Sequence, residues 1–377
     1  VMVSMMSIFF IAASPLGALG RMLSHYVALF LQKGERERAK SLIRMVFYDC
    51  SVIALIVLVV GVLMSDVISD FFRLETSWPV IATVIALFGL FFKIIVDGVL
   101  NGTQAFLWAS AVTMIWSAGR LVFAVLLVLL GFGATGAVWG NTIAIYISVL
   151  VGIFAVGAVL GRAWGGVGAR ERGVYGYFIW YMLVLGMYGV ITNADMVLVK
   201  RFFNEKTAGF FAAAVIPARI VYFLPLPVAY AMFPKIVSAG NVSIPDRRIL
   251  LKALVIVAFI EITIAVFISL FPSATLRILV GNTAHEMVSL MRRLTWAITP
   301  LPLVFVMMNF ELAQRRFLVI TPLALSVLVY IGGVGIWHKD LADVAFFILV
   351  SALLAFVGCV FVIFYWQRYV FKKKVST

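Results

Sequence analysis

The chain has 377 residues, 64% of them hydrophobic and 12% charged, with a mean hydropathy of +1.13. A soluble domain carries about twice that share of charge, so the soluble classes are excluded. The net charge of +14 suits nucleic acid by magnitude alone, but its placement along the chain argues for a membrane.

Eleven apolar segments follow in chain order, each near the ~20 residues needed to cross a bilayer. The expected spans are 1–23, 41–64, 78–100, 107–131, 134–160, 174–202, 208–234, 250–272, 288–310, 317–336 and 343–366. Between the fourth and fifth, Gly131-Phe-Gly-Ala-Thr-Gly136 predicts a tight reversal rather than one long helix. The expected fold class is therefore an all-α polytopic membrane protein.

The connections alternate in charge. Eighteen Lys and Arg fall on one set, at 33–44, 162–172, 235–252, 315–316 and 368–374. The other set holds six: Arg73, Lys200, Arg201, Lys206, Arg277 and Lys339. Short basic loops stay in the cytoplasm, which places loop 33–44 and the carboxyl terminus inside and loop 273–287 outside. The basic residues then serve topology and contact with anionic lipid headgroups, and no nucleic-acid partner is expected. This orientation puts Val1 outside, yet residues 1–14 contain no Lys or Arg and do not read as a signal peptide. A further helix preceding Val1 is therefore expected.

Catalysis finds little footing. The longest connections, 235–249 and 273–287, are about 15 residues, too short for a polar catalytic domain. Asp66, Asp70 and Glu75 read as a solvated acidic loop. His25, His285 and His338 are isolated, Cys50 and Cys359 are lone thiols in or beside spans, and neither CxxC nor HExxH occurs. The chain is expected not to be an enzyme and to hold no metal or cofactor.

A faint echo runs through the chain. Pro15-Leu-Gly-Ala-Leu-Gly-Arg-Met-Leu-Ser24 closes the first span and Pro225-Leu-Pro-Val-Ala-Tyr-Ala-Met-Phe-Pro-Lys235 the seventh. Leu100-Asn-Gly-Thr-Gln104 closes the third and Asn309-Phe-Glu-Leu-Ala-Gln314 the ninth. Both pairs are six spans apart. An even offset gives two copies of like orientation, a parallel repeat of the kind transporters use.

Ionisable residues inside spans are costly and hence functional candidates. Arg21 and His25 lie at the end of the first span, where snorkelling to the interface is the plain alternative. Lys93 and Asp97 are spaced to pair on one helix face. Arg120 in the fourth span and Arg219 in the seventh are too deep to snorkel. Asp195 lies late in the sixth and is the candidate partner of one of these arginines, or a carrier of a coupling proton. Glu261, mid-eighth, is a second coupling candidate, or a carboxyl kept neutral in an apolar setting. Pro225, Pro227 and Pro234 are expected to kink the seventh span.

Several of these segments resemble one family. Asn193-Ala-Asp195-Met-Val-Leu-Val-Lys200, Thr207-Ala-Gly209-Phe-Phe-Ala-Ala-Ala214, Leu224-Pro225 and Phe233-Pro234-Lys235 are similar to the seventh and eighth helices of polysaccharide-biosynthesis (O-antigen/oligosaccharide) flippases of the multidrug/oligosaccharidyl-lipid/polysaccharide exporter superfamily. Leu100-Asn-Gly-Thr-Gln104, Gly133 and Gly136-Ala-Val-Trp-Gly140 resemble its fourth to sixth helices, and the stretch after Gly20-Arg21 the end of its second. The resemblance implies a twelve-helix fold lacking its first helix: two pseudo-symmetric bundles, here 1–165 with five helices and 166–377 with six, around a central cavity that opens to alternate sides.

It also implies a bacterial cytoplasmic-membrane protein that flips an undecaprenyl-pyrophosphate-linked oligosaccharide for cell-surface polysaccharide, such as lipopolysaccharide O-antigen. The implied partners are that lipid, membrane lipids, a polysaccharide polymerase and glycosyltransferases, with the flippase itself a monomer. Its coupling ion would be a proton or sodium. A pyrophosphate in a wet cavity needs cations, and arginine suits it best, so Arg120 and Arg219, with Arg21, Lys93, Asp97 and Asp195, are the candidate substrate-binding residues. A drug–cation antiporter of the same superfamily and a membrane enzyme of polysaccharide assembly are the alternatives. The first would want carboxylates to dominate its cavity.

Overall fold

A computed structural model describes residues 1–161, 174–228, 244–281, 285–314 and 316–375, the side chains of 174–177, 244–247, 285 and 364–375 excepted. The described residues form helices joined by short connections. These are α1 (Met2–Gln32), α2 (Arg36–Leu63), α3 (Ser65–Phe71), α4 (Trp78–Gly102), α5 (Phe106–Leu127), α6 (Gly133–Leu160), α7 (Val174–Phe202) and α8 (Glu205–Phe223), then α9 (Ile244–Leu270), α10 (Pro272–Leu279), α11 (His285–Ile298), α12 (Pro300–Ala313), α13 (Ile320–Ile336) and α14 (Leu341–Val375). Nine helical stretches among the described residues are long and apolar enough to cross a bilayer. One of them, residues 106–160, is bent back into α5 and α6, and the shorter apolar α13 adds another. Each of the eleven expected spans thus has its helix, in a multi-pass membrane protein.

The bend falls where the glycines predicted it. A single π turn, Val128–Phe132, follows α5, and Gly131 and Gly133 take φ of 92° and 54°, conformations that glycine adopts without penalty. The two helices then run back on each other. A Cβ at Gly140 would strike the backbone of Ala124, and one at Gly119 would lie 3.3 Å from Ala144. Position rises on one helix as it falls on the other, so the pair is an antiparallel hairpin closed by small residues, which let membrane helices approach.

The chain divides into two compact units, Val1–Gly189 and Val190–Thr377, with the division inside α7. The boundary expected at 165/166 lies outside the described residues. In the first unit α4 is the centre, packed by α1, α2 and α6, with α5 on α6. Thr142 Oγ1 donates to the Ala82 carbonyl at 2.9 Å and the Tyr146 hydroxyl to that of Ile85 at 3.1 Å, so α4 and α6 run parallel. Gly98 meets Gly20 and Gly102 meets Ser24, which sets α1 parallel to α4. Gly61 against Val84 and Phe47 against Phe92 set α2 antiparallel. Spans one, three and five therefore share a direction opposite to two and four. The start of α7 descends along α1, with Tyr181 beside Arg21, Leu185 beside Gly17 and Gly189 beside Ser14.

The second unit repeats the pairing six spans on. There α11 meets α8, α9 and α14, α8 meets α9, and α13 packs on α14. Each unit also carries one short helix after its second span. These are α3, packed on α2 and α4, and α10, packed on α8, α9 and α11.

Several boundaries differ from expectation. The first span was expected to end at residue 23, but α1 continues to Gln32 because no breaker intervenes before Gly34, whose φ is 76°. Arg21 and His25 thus lie within α1, not at its end. The ninth span is two helices, parted at Thr299 before Pro300, whose missing N–H favours a helix start. In the seventh, α8 stops at Phe223, a turn covers Leu224 and Pro225, and helix resumes at Leu226. Pro225 acts as expected there, while Pro234 lies outside the described residues.

Candidate functional site

The buried charges gather in a few places, and the helix pairings above decide where. On α4, Lys93 and Asp97 form the expected i,i+4 ion pair, Nζ to Oδ2 2.5 Å, with the lysine side chain only 3% exposed. The lysine also faces an aromatic that sequence spacing did not single out. Its ammonium lies 4.8 Å from the centre of the Trp116 indole on α5. One turn further along α5, the Arg120 guanidinium lies 5.8 Å from the same ring. The indole Nε1 donates to Asn141 Oδ1 of α6 at 3.3 Å.

Three helices thus converge on one tryptophan with two cations, a carboxylate and an amide around it. The accounting leaves free valences. Asn141 is 1% exposed and, among the described residues, its Nδ2 has no acceptor and the enclosed Asp97 Oδ1 no donor. Among the described residues Arg120 contacts no carboxylate, and Trp116 is its one polar or aromatic partner. The constellation has one positive charge in excess, at Arg120, which is half-buried.

In the second unit, Asp195 and Arg219 form a pair. Nη2 of Arg219 donates to both carboxylate oxygens, at 2.8 and 3.0 Å, and the Met196 backbone N–H donates to Oδ1 at 2.8 Å. Asp195 is 4% exposed. The turn from α7 to α8 that joins the two is tied locally. Lys200 pairs with Glu205 at 2.5 Å, and Asn204 caps α8 by accepting from the Thr207 N–H at 2.8 Å. Tyr330 of α13, fully buried, lies near both charges, and neither its hydroxyl nor Arg219 Nε has a partner among the described residues.

Two further acids are buried. Glu261 on α9 is buried and makes no hydrogen bond or ion pair among the described residues. Glu311 on α12 is fully enclosed, and among the described residues both its oxygens are unpartnered, as are side-chain atoms of Gln314 and Arg316 nearby. Each such group costs ~1–3 kcal/mol while unsatisfied. In the first unit Arg21 Nη1 donates to the buried Tyr181 hydroxyl at 2.5 Å. His25, one turn further along α1, is exposed.

Of the residues expected to bind substrate, the fold therefore joins Lys93, Asp97 and Arg120 in one unit and Asp195 with Arg219 in the other. Arg21 instead meets Tyr181, and the coupling candidate Glu261 makes no hydrogen bond or ion pair among the described residues. Trp116, Asn141, Tyr330 and Glu311 were not anticipated. Glu311 was legible only as part of the repeated span ending, and the other three depend on packing between helices distant in sequence.

The comparisons agree with this architecture. The family described as polysaccharide biosynthesis protein matches residues 4–289. No curated protein matches the chain. Among solved structures, a multidrug resistance MATE family transporter of the MOP superfamily, in its inward-facing conformation, is similar with a TM-score of 0.75 at 17% identity, over 100% of this chain and 91% of that one. The lipid II flippase MurJ, in an inward closed conformation, gives 0.69 at 14% identity over 96% and 82%. A MOP superfamily transporter from Pyrococcus furiosus gives 0.63 at 15% identity over 94% and 84%. At these identities the likeness is one of fold. With three quarters of its length matched by the family, and with two helix bundles of the MOP-transporter kind, the chain belongs to the polysaccharide biosynthesis protein family.

Proposed function

We propose that the protein flips a lipid-linked oligosaccharide, with undecaprenyl pyrophosphate as the carrier, across the bacterial cytoplasmic membrane by alternating access. Family membership and a fold shared with a lipid flippase support the reading. The observation that carries it is the uncompensated Arg120. A guanidinium inside a span costs at least ~2.5 kcal/mol even on lenient scales. A protein that holds one there, on an aromatic ring and without a counter-ion among the described residues, holds it for an anion that comes and goes. Arg219 is by contrast neutralised by Asp195 and serves substrate only when that pair opens.

The antiporter alternative draws on two buried acids, Glu261, which has no counter-charge among the described residues, and Glu311, which has Arg316 nearby; Glu261 with Asp195 is our candidate for the coupling ion. The two readings separate in cells. Loss of the protein should trap the lipid-linked oligosaccharide on the cytoplasmic leaflet, and Arg120→Ala should reproduce the trap at normal protein levels. Cells that instead export the oligosaccharide normally and become sensitive to cationic drugs would replace flipping with antiport.

A further inference from the structure

We infer that Asp97, Trp116, Arg120 and Asn141 form a subsite for an acidic pyranose, a hydroxylated sugar ring that bears a carboxylate. The inference rests on the transport reading and names the part of the substrate that the first unit holds. It follows from what these residues leave unsatisfied. Arg120 offers a fork of N–H donors with no acidic partner among the described residues. Asn141, held by its bond to the indole, offers the two N–H donors of its enclosed Nδ2. Asp97, its other oxygen held by Lys93, offers one enclosed acceptor. The Trp116 indole gives the group an apolar wall.

Candidate ligands fill this set unequally. Pyrophosphate brings acceptors only, so it leaves Asp97 Oδ1 unsatisfied and sets its own charge against that carboxylate. A neutral sugar can donate a hydroxyl to Asp97 and accept from Asn141, but it gives the guanidinium nothing planar and charged to hold. A sugar acid does all three. Its carboxylate accepts two parallel N–H bonds from Arg120, the geometry for which arginine is suited. One ring hydroxyl donates to Asp97 Oδ1, another accepts from Asn141 Nδ2, and the apolar ring face lies toward the indole. A few convergent polar groups on an aromatic wall are what small-ligand sites are made of. Lys93 holds Asp97 in place through their ion pair and is a positioning residue.

The test uses the full chain purified in detergent, titrated calorimetrically with glucuronate, glucose and inorganic pyrophosphate. Glucuronate should bind at least tenfold more tightly than glucose, and excess pyrophosphate should not displace it. Arg120→Lys, which keeps the charge and loses the fork, and Asn141→Leu, which keeps the volume and loses the donor, should each weaken glucuronate at least tenfold. Equal binding of glucose and glucuronate, binding of neither, displacement by pyrophosphate, or wild-type affinity in both variants would overturn the subsite. Should Asn141→Leu not fold, the three wild-type titrations and Arg120→Lys decide it. Transport is measured separately in vesicles with a lipid-linked oligosaccharide. Failure of glucuronate to bind in a chain that flips removes the subsite alone. A chain that flips nothing removes the transport reading, and the titrations then judge the subsite alone.

Discussion

Lysine and aspartate four residues apart on a helix lie one turn apart on the same face, so the Lys93–Asp97 pair was legible from spacing. The Asp195–Arg219 pair was legible only as a need. Two deep opposite charges on consecutive spans each require a partner, and the short α7–α8 turn brings them together. The indole between Lys93 and Arg120 had no such sign, because nothing local marks which of the chain's nine tryptophans faces a cation on another helix. The enclosed Glu311 was hidden for the same reason. Its burial is set by α14, about 30 to 60 residues further on.

Breaking one side of a buried pair strands the other charge, at a cost of ~3–5 kcal/mol. Arg219→Met alone should therefore lower stability by about that amount. Adding Asp195→Leu to it should restore most of the loss, since apolar replacement of a whole buried pair is often neutral. Thermal and denaturant unfolding of both variants measure this. A single variant as stable as wild type would show that the pair is hydrated rather than sequestered.

At the scale of elements, hydropathy located the spans and glycine located the turn between α5 and α6. Hydropathy did not locate the ends. Helical hydrogen bonding continues past the apolar stretch wherever no breaker stops it, as from residue 23 to Gln32 in α1. Nor did it reveal α3 and α10, which lie in stretches read as loops. They are seven and eight residues long, too short for a period to stand out. The close approach of α5 to α6 gives a direct check. Gly140→Leu drives a side chain into the Ala124 backbone and should cost at least ~1–3 kcal/mol by overpacking. At Gly157, also on α6, a Cβ meets nothing within 4 Å, and alanine should be neutral or stabilising by up to ~1 kcal/mol. Melting temperatures of the two proteins should move in opposite directions or differ by several degrees. Equal melting would mean that the hairpin is looser than described.

At the scale of the whole molecule, the six-span echo in the sequence has its counterpart in the pairing within each unit, down to the short helix after the second span. The repeat does not extend to the charges. By the pairing of the Leu100 and Glu311 turns, each closed by a backbone hydrogen bond from the residue five further on, a buried leucine in one unit stands where a buried glutamate stands in the other. Equivalent positions share the demands of packing and differ in chemistry, which is why the architecture was readable from the chain and the site only in part.

The alternating helix directions in the first unit, with the basic connections at one set of ends, predict a topology. In a cysteine-free background, an impermeant maleimide should label Glu75→Cys in intact cells and leave Glu37→Cys unlabelled until the membrane is opened. Both positions are exposed. The reverse pattern would invert the orientation.

The most direct test of the account is flipping in vesicles. The full chain is reconstituted with a fluorescent undecaprenyl-pyrophosphate-linked oligosaccharide, and the fraction reaching the outer leaflet is followed by an impermeant quencher. Wild-type protein should move the lipid at least tenfold faster than protein-free vesicles. Arg120→Ala, with an unchanged melting temperature, should lose most of that rate. Lipid that stays in its original leaflet with wild-type protein, or moves equally fast with Arg120→Ala, would contradict the account.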